Sequence, residues 1–514
     1  MNKSEAELKQ NSLFIVNSVL DHINGASLYE QSVHRHDGFI YLMIRKDAKK
    51  YLVVACENGI TVPAAFKGEE VSFGDGNATI CELSHEHAQA IRERFDFTRA
   101  KLIGKVNSYG FGDRLGNAGP AHLRAVRGTG FMPVLAQQSI RELERTKRTA
   151  EEVMDAAIWS VFQEGFHDGF GADGDHLKTK KDIDLMVKAG YTMLTIDPSD
   201  YVVNDAVSMD AEELQDYYKK LPWGLLQDQP EALLNRFKNT SVTLSDGFEL
   251  QTTHREIMTG MVKYGQVITH TKSLADYIES AYPEHPAELE LSVDETSRPT
   301  TLFEHYLIVS ELHRLGVELV SVAPRFCGDF EKGIDFKGDL DQFRSEYKQH
   351  LAIAEKFGGY KLSIHSGSDK FSVYEVIGAL GGGVVHVKTA GTSYLEALRT
   401  IAEADPGFFR EILKFSLGRF ETDKKTYHIS AGVDKVPDPD SLDDEELLGL
   451  LDDDDARQVL HVTFGSVLSG DLSEAKHYKA RLMQVLEENE ELHEKNLYEH
   501  FKKHLNPFLV RYPG

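Results

Sequence analysis

Residues 358–393 constrain this chain more than any other stretch. Two hydrophobic runs, 360–365 and 384–388, are each followed by a polar, glycine-containing loop, Ser366-Gly367-Ser368-Asp369-Lys370 and Thr389-Ala390-Gly391-Thr392-Ser393. Between them, 373–380 is apolar-rich, long enough for a crossover helix, and closed by Gly381-Gly382-Gly383. Strand, helix, strand with polar groups at the strands' C-terminal ends is the repeating unit of an α/β barrel, and chemistry in that fold sits at those ends. His365 and His386 stand at two such ends, 21 residues apart, where neighbouring strands would aim them at one point.

The same alternation reaches back to residue 101. Candidate strands fall at 102–107, 131–136, 166–172, 191–196, 288–293 and 317–323, before the two already described. Helical apolar spacing marks 149–162, 301–315 and 339–357. The pattern predicts an α/β fold, a (β/α)8 TIM-like barrel over 99–395. The third strand has the weakest pattern, and a doubly wound sheet is the alternative. Residues 198–286, between the fourth and fifth strands, are too long for a plain loop and carry helical runs at 210–220 and 229–237. They predict a helical insertion over the C-terminal face, placed to act as a lid. Residues 1–98 hold short β-rich runs and a helix at 84–95, the pattern of a small N-terminal α+β cap. His34 and His36 within it read as a solvated surface pair. Residues 396–514 predict a mainly helical C-terminal extension. In it the acidic run 437–455 reads as a solvated face, and 475–505 as one long amphipathic helix that allows a homo-oligomer contact.

A formal net charge of −25 gives no electrostatic footprint for nucleic acid or an anionic membrane, and an acidic surface mainly favours solubility. An anionic substrate would need a local basic pocket against that field. Three cysteines without CxxC spacing argue for a reducing compartment and against a disulfide framework. No stretch approaches the roughly 18 apolar residues that span a bilayer. The expectation is a cytoplasmic protein without a membrane segment.

Nearly every strand end is polar. The first offers Asn107, then Asp113 and Arg114; the second Gln137; the third Asp173, Asp175 and His176; the fourth Asp197. The fifth offers Asp294 and Glu295, the sixth Arg325, the seventh His365 and Lys370, and the eighth His386 and Lys388. Any one reads equally as a local cap, Asp197 before Pro198 for instance; the accumulation is the signal. His176, His365 and His386 predict a site for one divalent cation with positions open to substrate. The HxH of metal-dependent hydrolases is absent from the first strand end, where Val106-Asn107-Ser108-Tyr109 stands. Asp175 and Glu295 predict a proton acceptor and donor. The alternative for Asp175 or Asp294 is a metal ligand or a partner that orients a histidine. Asp113, Arg114, Gln137, Arg325, Lys370 and Lys388 are the expected substrate contacts, the cations suited to a carboxylate. The loops 366–370 and 389–393 lie where barrels often bind phosphate, so a phosphorylated substrate stays open.

Four motifs carry a family resemblance: SVDETSRPTTLFEHYLIVSEL from Ser292, KLSIHSGSDKFSVYEVIGAL from Lys361, VVHVKTAGTSYLEALR from Val384 and ARQVLHVTFGSVL from Ala456. Together they resemble the bacterial tagaturonate epimerases, over most of the chain and including the N-terminal cap. The resemblance implies a barrel dependent on a divalent metal (zinc, nickel, cobalt, manganese or iron) that interconverts D-tagaturonate and D-fructuronate in hexuronate breakdown. It implies His365 and His386 as ligands, with His176 beside Asp175, and Glu295 as an acid/base partner. The competing enzyme reading is a metal-dependent aldolase or isomerase of a sugar phosphate. From another class, a non-catalytic sugar-acid sensor would keep Arg114 and the lysines and have no use for a metal.

Overall fold

Eight short parallel strands close on themselves. They are β1 (Ser108–Gly110), β2 (Met132–Ser139), β3 (Gly171–Leu177), β4 (Met193–Ile196), β5 (Glu288–Val293), β6 (Ser321–Pro324), β7 (Lys361–Ile364) and β8 (Val385–Lys388). Each pairs with the next in sequence, and β8 pairs with β1 to seal the barrel. The computed structural model describes residues 14–56, 60–74, 76–238, 242–244 and 247–509. The ends of the expected cap and extension, 1–13 and 510–514, lie outside the described residues.

The expected elements form where local chemistry supports them. Helices Ala150–Gln163 and Leu302–Arg314 begin at capping boxes, Thr149 with Glu152 and Thr301 with Glu304, which satisfy amides that a helix start leaves unpaired. Two strands differ from expectation. Residues 102–107 are not a strand: the amides of Ile103 and Gly104 bond to the Glu288 carboxylate instead of a ladder, and Leu102 and Val106 are exposed. Asn107 therefore stands at the entry to β1, not its exit, and accepts the Val385 amide. The third strand lies five residues later than expected, because its inward face is Asp173 and Asp175 rather than apolar side chains.

The insertion after β4 is helical as expected, with helices Ala211–Lys219, Pro230–Lys238 and the long His254–Ala281. The N-terminal cap is a six-stranded antiparallel sheet with its own apolar core, in which Ile15, Val16 and Val19 pack on Ile40, Leu42 and Val53. His34 is not solvated. It packs edge-on against Phe162 and beside Phe97, and burial pushes its ring down to about 4. The barrel's last helix, Thr392–Ala404, runs through the expected boundary at 395 and into the core of the extension. The acidic run supplies helix caps, Asp438, Asp443 and Asp453. The expected long helix is two, Tyr478–Glu488 and Glu490–Leu509. They break at Asn489, whose side-chain amide and backbone N–H both turn back to the Val485 carbonyl. Among the described residues no helix is long and apolar enough to cross a membrane.

Candidate active site

The C-terminal ends of the strands surround a cavity of about 530 Å³. Its floor is an ion cluster inside the barrel. Lys388 from β8 lies 2.7 Å from Asp173, 2.9 Å from Asp175 and 2.7 Å from Glu290, and donates to Thr195 at 2.6 Å. Burial alone would discharge these acids. It pushes Asp173 up to about 6, whereas Lys388 outweighs it at Asp175 and Glu290 and holds both well below the usual carboxylate range.

Two imidazoles stand on this floor. His365, just past β7, is 2.7 Å from Glu290 through Nε2 and 3.3 Å from Asp294 through Nδ1. His176, at the end of β3, is 3.2 Å from Asp197 through Nδ1 and turns Nε2 toward Asp175. The rings meet edge to face with centroids 5.1 Å apart. Burial disfavours their charged forms, but Asp294 and Glu290 hold His365 up at about 10, and Asp175 and Asp197 hold His176 up at about 9. His176 and Ser366 both adopt left-handed backbone, φ 52° and 51°, a conformation costly for non-glycine residues and concentrated at functional sites.

One donor atom each from Asp175, His176 and His365 lies within 4.8 Å of the others. Each imidazole has its far nitrogen bonded to a carboxylate, the pattern that orients metal-binding histidines. Three carboxylates (Asp173, Asp175, Glu290) face one lysine and a fourth, Asp294, stands against His365, so the floor has negative charge to offer a cation. The residues present fit one divalent metal.

The expected residues divide. Glu295 lines the cavity and has no hydrogen-bond or ion-pair partner among the described residues. Gln137 lines it too, its Nε2 3.4 Å from Asp175, and a Cβ at Gly110 would come within 2.7 Å of its Oε1. Arg114 reaches the wall but is paired with Glu142 at 3.2 Å and lies 3.5 Å over the Phe464 ring. Arg325 lines the cavity and donates to the Thr296 carbonyl. Lys388 belongs to the floor, its ammonium saturated by carboxylates. Three expectations are corrected. His386 is not in the cluster: it pairs with Ser363, two residues before His365, so it faces inward one layer, ~7 Å, below the site. There its Nδ1 meets the Ser108 hydroxyl at 2.8 Å. Asp113 accepts the amides of Leu115, Gly116 and Ala118 and shapes its own loop. Lys370 is buried, with its ammonium donating to the carbonyls of Glu331, Ser368 and Ile334.

The profile of the tagaturonate epimerase family matches residues 29–508. A tagaturonate/fructuronate epimerase of Thermotoga maritima is 41% identical over 490 residues, covering 95% of this chain and 98% of that protein. The crystal structure of a fructuronate-tagaturonate epimerase from Cohnella laeviribosi, with one glycerol, superposes with a TM-score of 0.88 at 36% identity, covering 98% of this chain and 99% of that one. Its native form gives the same TM-score. The chain belongs to the tagaturonate epimerase family. It is an epimerase, and so an isomerase.

Several site groups of this epimerase escaped the sequence reading. Glu290 had a signal: Glu288, Glu290 and Ser292 alternate along β5, and charge at period two in a barrel strand marks an inward polar face. Arg141 follows β2 at the start of the helix Ile140–Thr146, Lys332 lies in the loop after β6, and Tyr427 with His428 come from the extension. No spacing links these positions. A second carboxylate–imidazole group, Asp369 with His500 and His504, is structural. His504 Nε2 accepts the Asp369 amide, and the carboxylate is paired with Arg457 at 2.9 Å.

Proposed function

We propose that this chain interconverts D-tagaturonate and D-fructuronate with one divalent cation held by Asp175, His176 and His365. The observation that carries the reading is the pair of carboxylate-backed imidazoles beside Asp175 on the cavity floor, with the Glu295 carboxylate on its wall. A mixed nitrogen–oxygen donor set suits zinc, nickel, cobalt, manganese or iron.

The two ketouronates differ at C4, counted from the keto end, and the ketone is C2. C4 is β to that carbonyl, so its hydrogen is not acidified and enolisation does not invert it. Breaking C3–C4 does. O4 loses its proton and its electron pair forms the C4 aldehyde; the C3–C4 pair moves onto C3 and delocalises into the C2 carbonyl. The three-carbon aldehyde acid turns, presents its other face, and C3 adds back as O4 regains a proton. A bound cation would supply Lewis-acid stabilisation of the charge that develops at the C2 oxygen. Asp175 Oδ1 faces Lys388 and His176, whereas Oδ2 is held only by Gln137 at 3.4 Å, leaving that oxygen to take the O4 proton. Glu295, with no hydrogen bond or ion pair among the described residues, returns one.

An NMR time course of metal-loaded protein with D-tagaturonate, beside a chelator-treated control, tests the reading. D-fructuronate forming only in the loaded sample is the expected result; no turnover with any of several divalent metals would refute it. Borohydride quenching reads the route separately, because the aldehyde acid released by C3–C4 cleavage is reduced to glycerate.

A further inference from the structure

Five lysine and arginine side chains line the cavity, and they are not equivalent. Arg114 and Lys388 are neutralised by carboxylates, and Arg325 is tied to a backbone carbonyl. Arg141 has no hydrogen bond or ion pair among the described residues; its guanidinium rests 5.7 Å from the Tyr427 ring centroid. Among the described residues Lys332 has no ion pair either, and its one hydrogen bond goes to the Ser366 hydroxyl, at 2.7 Å. The two are close enough to act on one another: burial pushes the Lys332 ammonium down, and the Arg141 charge pushes it the same way. Glu295 and Glu142 act on both cations only from beyond ion-pair distance, so neither cation is directly neutralised among the described residues, and a ligand anion would offset the cost of burying them. In a chain of net charge −25 this is a local positive pole, and Ser366 places it one residue from His365.

We infer that Arg141 and Lys332, with the Ser366 hydroxyl, bind the substrate's carboxylate and make the site select a sugar acid over the neutral ketose. This rests on the proposed ketouronate reaction and adds the residues that choose its substrate. The arrangement is directional. The reacting C2–C4 end is assigned to Asp175, His176 and His365, and the carboxylate, two carbons beyond C4, to the neighbouring Arg141–Lys332 pair. Tyr427, whose hydroxyl accepts from Arg145, backs the Arg141 guanidinium, so the extension completes the anion subsite.

Glycerate and glycerol test this directly, because they differ only in the carboxylate that the subsite would hold. Their dissociation constants are read by ligand-observed NMR on metal-loaded wild type, R141Q and K332Q. Each variant should weaken glycerate roughly 10- to 100-fold, the worth of a charge-assisted hydrogen bond, and R141K should recover part of the loss. The kcat/KM ratio of D-tagaturonate to D-tagatose should fall in parallel. Equal weakening of glycerate and glycerol would mean a merely structural role and overturn the inference, as would unchanged discrimination in both variants. Tighter binding of glycerol phosphate than of glycerate by the wild type would reassign the pole to phosphate. If the wild type fails to turn over D-tagaturonate yet loses glycerate selectivity in the variants, the proposed reaction falls and the anion subsite stands.

Discussion

Replacing Asp369 by asparagine isolates the contact that ties the extension to the active-site loop. Asp369 is 3% exposed in the loop after His365, and its carboxylate lies 2.9 Å from Arg457 and 2.6 Å from His500. Burial works against its charge, but Arg457 and His500 outweigh that and hold it well below the usual range. Asparagine keeps the shape and removes the charge, leaving Arg457 buried without its anion. Breaking a buried pair in this way costs about 3–5 kcal/mol. A folded-state pKa below the unfolded value contributes stability that is complete above about pH 4 and is lost as pH falls further. Wild type and D369N should therefore differ most near neutrality and converge toward pH 3, in urea unfolding at several pH values. A double-mutant cycle with R457M should give a coupling of roughly 2–3 kcal/mol. A loss under about 1 kcal/mol at pH 7, or one that persists undiminished at pH 3, would refute the reasoning.

Three further outcomes follow from the cavity. E295Q should lower kcat roughly 10²–10⁴-fold, the usual worth of a positioned acid or base, with bound metal unchanged by elemental analysis. E290Q removes the partner of His365 Nε2 and should weaken divalent-metal affinity roughly 10- to 100-fold in competition with a fluorescent chelator; unchanged affinity would place the metal elsewhere. K388M leaves Asp173, Asp175 and Glu290 without their cation and raises their folded-state pKa values. Stability so gained is present at low pH and lost as pH rises, so the deficit in thermal midpoint against wild type, measured on chelated protein, should grow from pH 5.5 to pH 8.

Sequence reasoning reached the barrel because its outer face obeys apolar periodicity. β5 was placed to the residue, and the helices that start after Thr149 and Thr301 followed from apolar spacing. It misplaced β3 because that strand reads GADGDHL: its inward face holds charges whose partner, Lys388, is over two hundred residues away. It credited His386 to the site because a strand end looks like one position in sequence. Alternation at period two makes it two layers, and only the pairing of Ser363 with His386 shows which layer faces substrate. Arg141, Lys332 and Tyr427 were illegible for another reason. Their meaning lies in lacking a partner, or in packing against one another from three separate segments, and neither property is written in local sequence.

The same contacts explain why the extension is part of the enzyme. Arg114, on the cavity wall, packs on Phe464; Tyr427 and His428 line the mouth; Arg457 and His500 hold Asp369, four residues after His365. A barrel cut at 395 would lose all of these and be severed within the helix Thr392–Ala404. It would also leave Arg141 without its aromatic backing, next to an anion subsite whose second cation, Lys332, sits in a loop braced by the extension. That loop is braced by Gln458, which donates to the Glu331 carboxylate and the Lys332 carbonyl. The β-strands deliver the acids and imidazoles of the reacting end, and the extension positions the cations of the selecting end. On this division, damage to the extension should surface first as lost discrimination between sugar acid and neutral sugar, and only then as lost turnover.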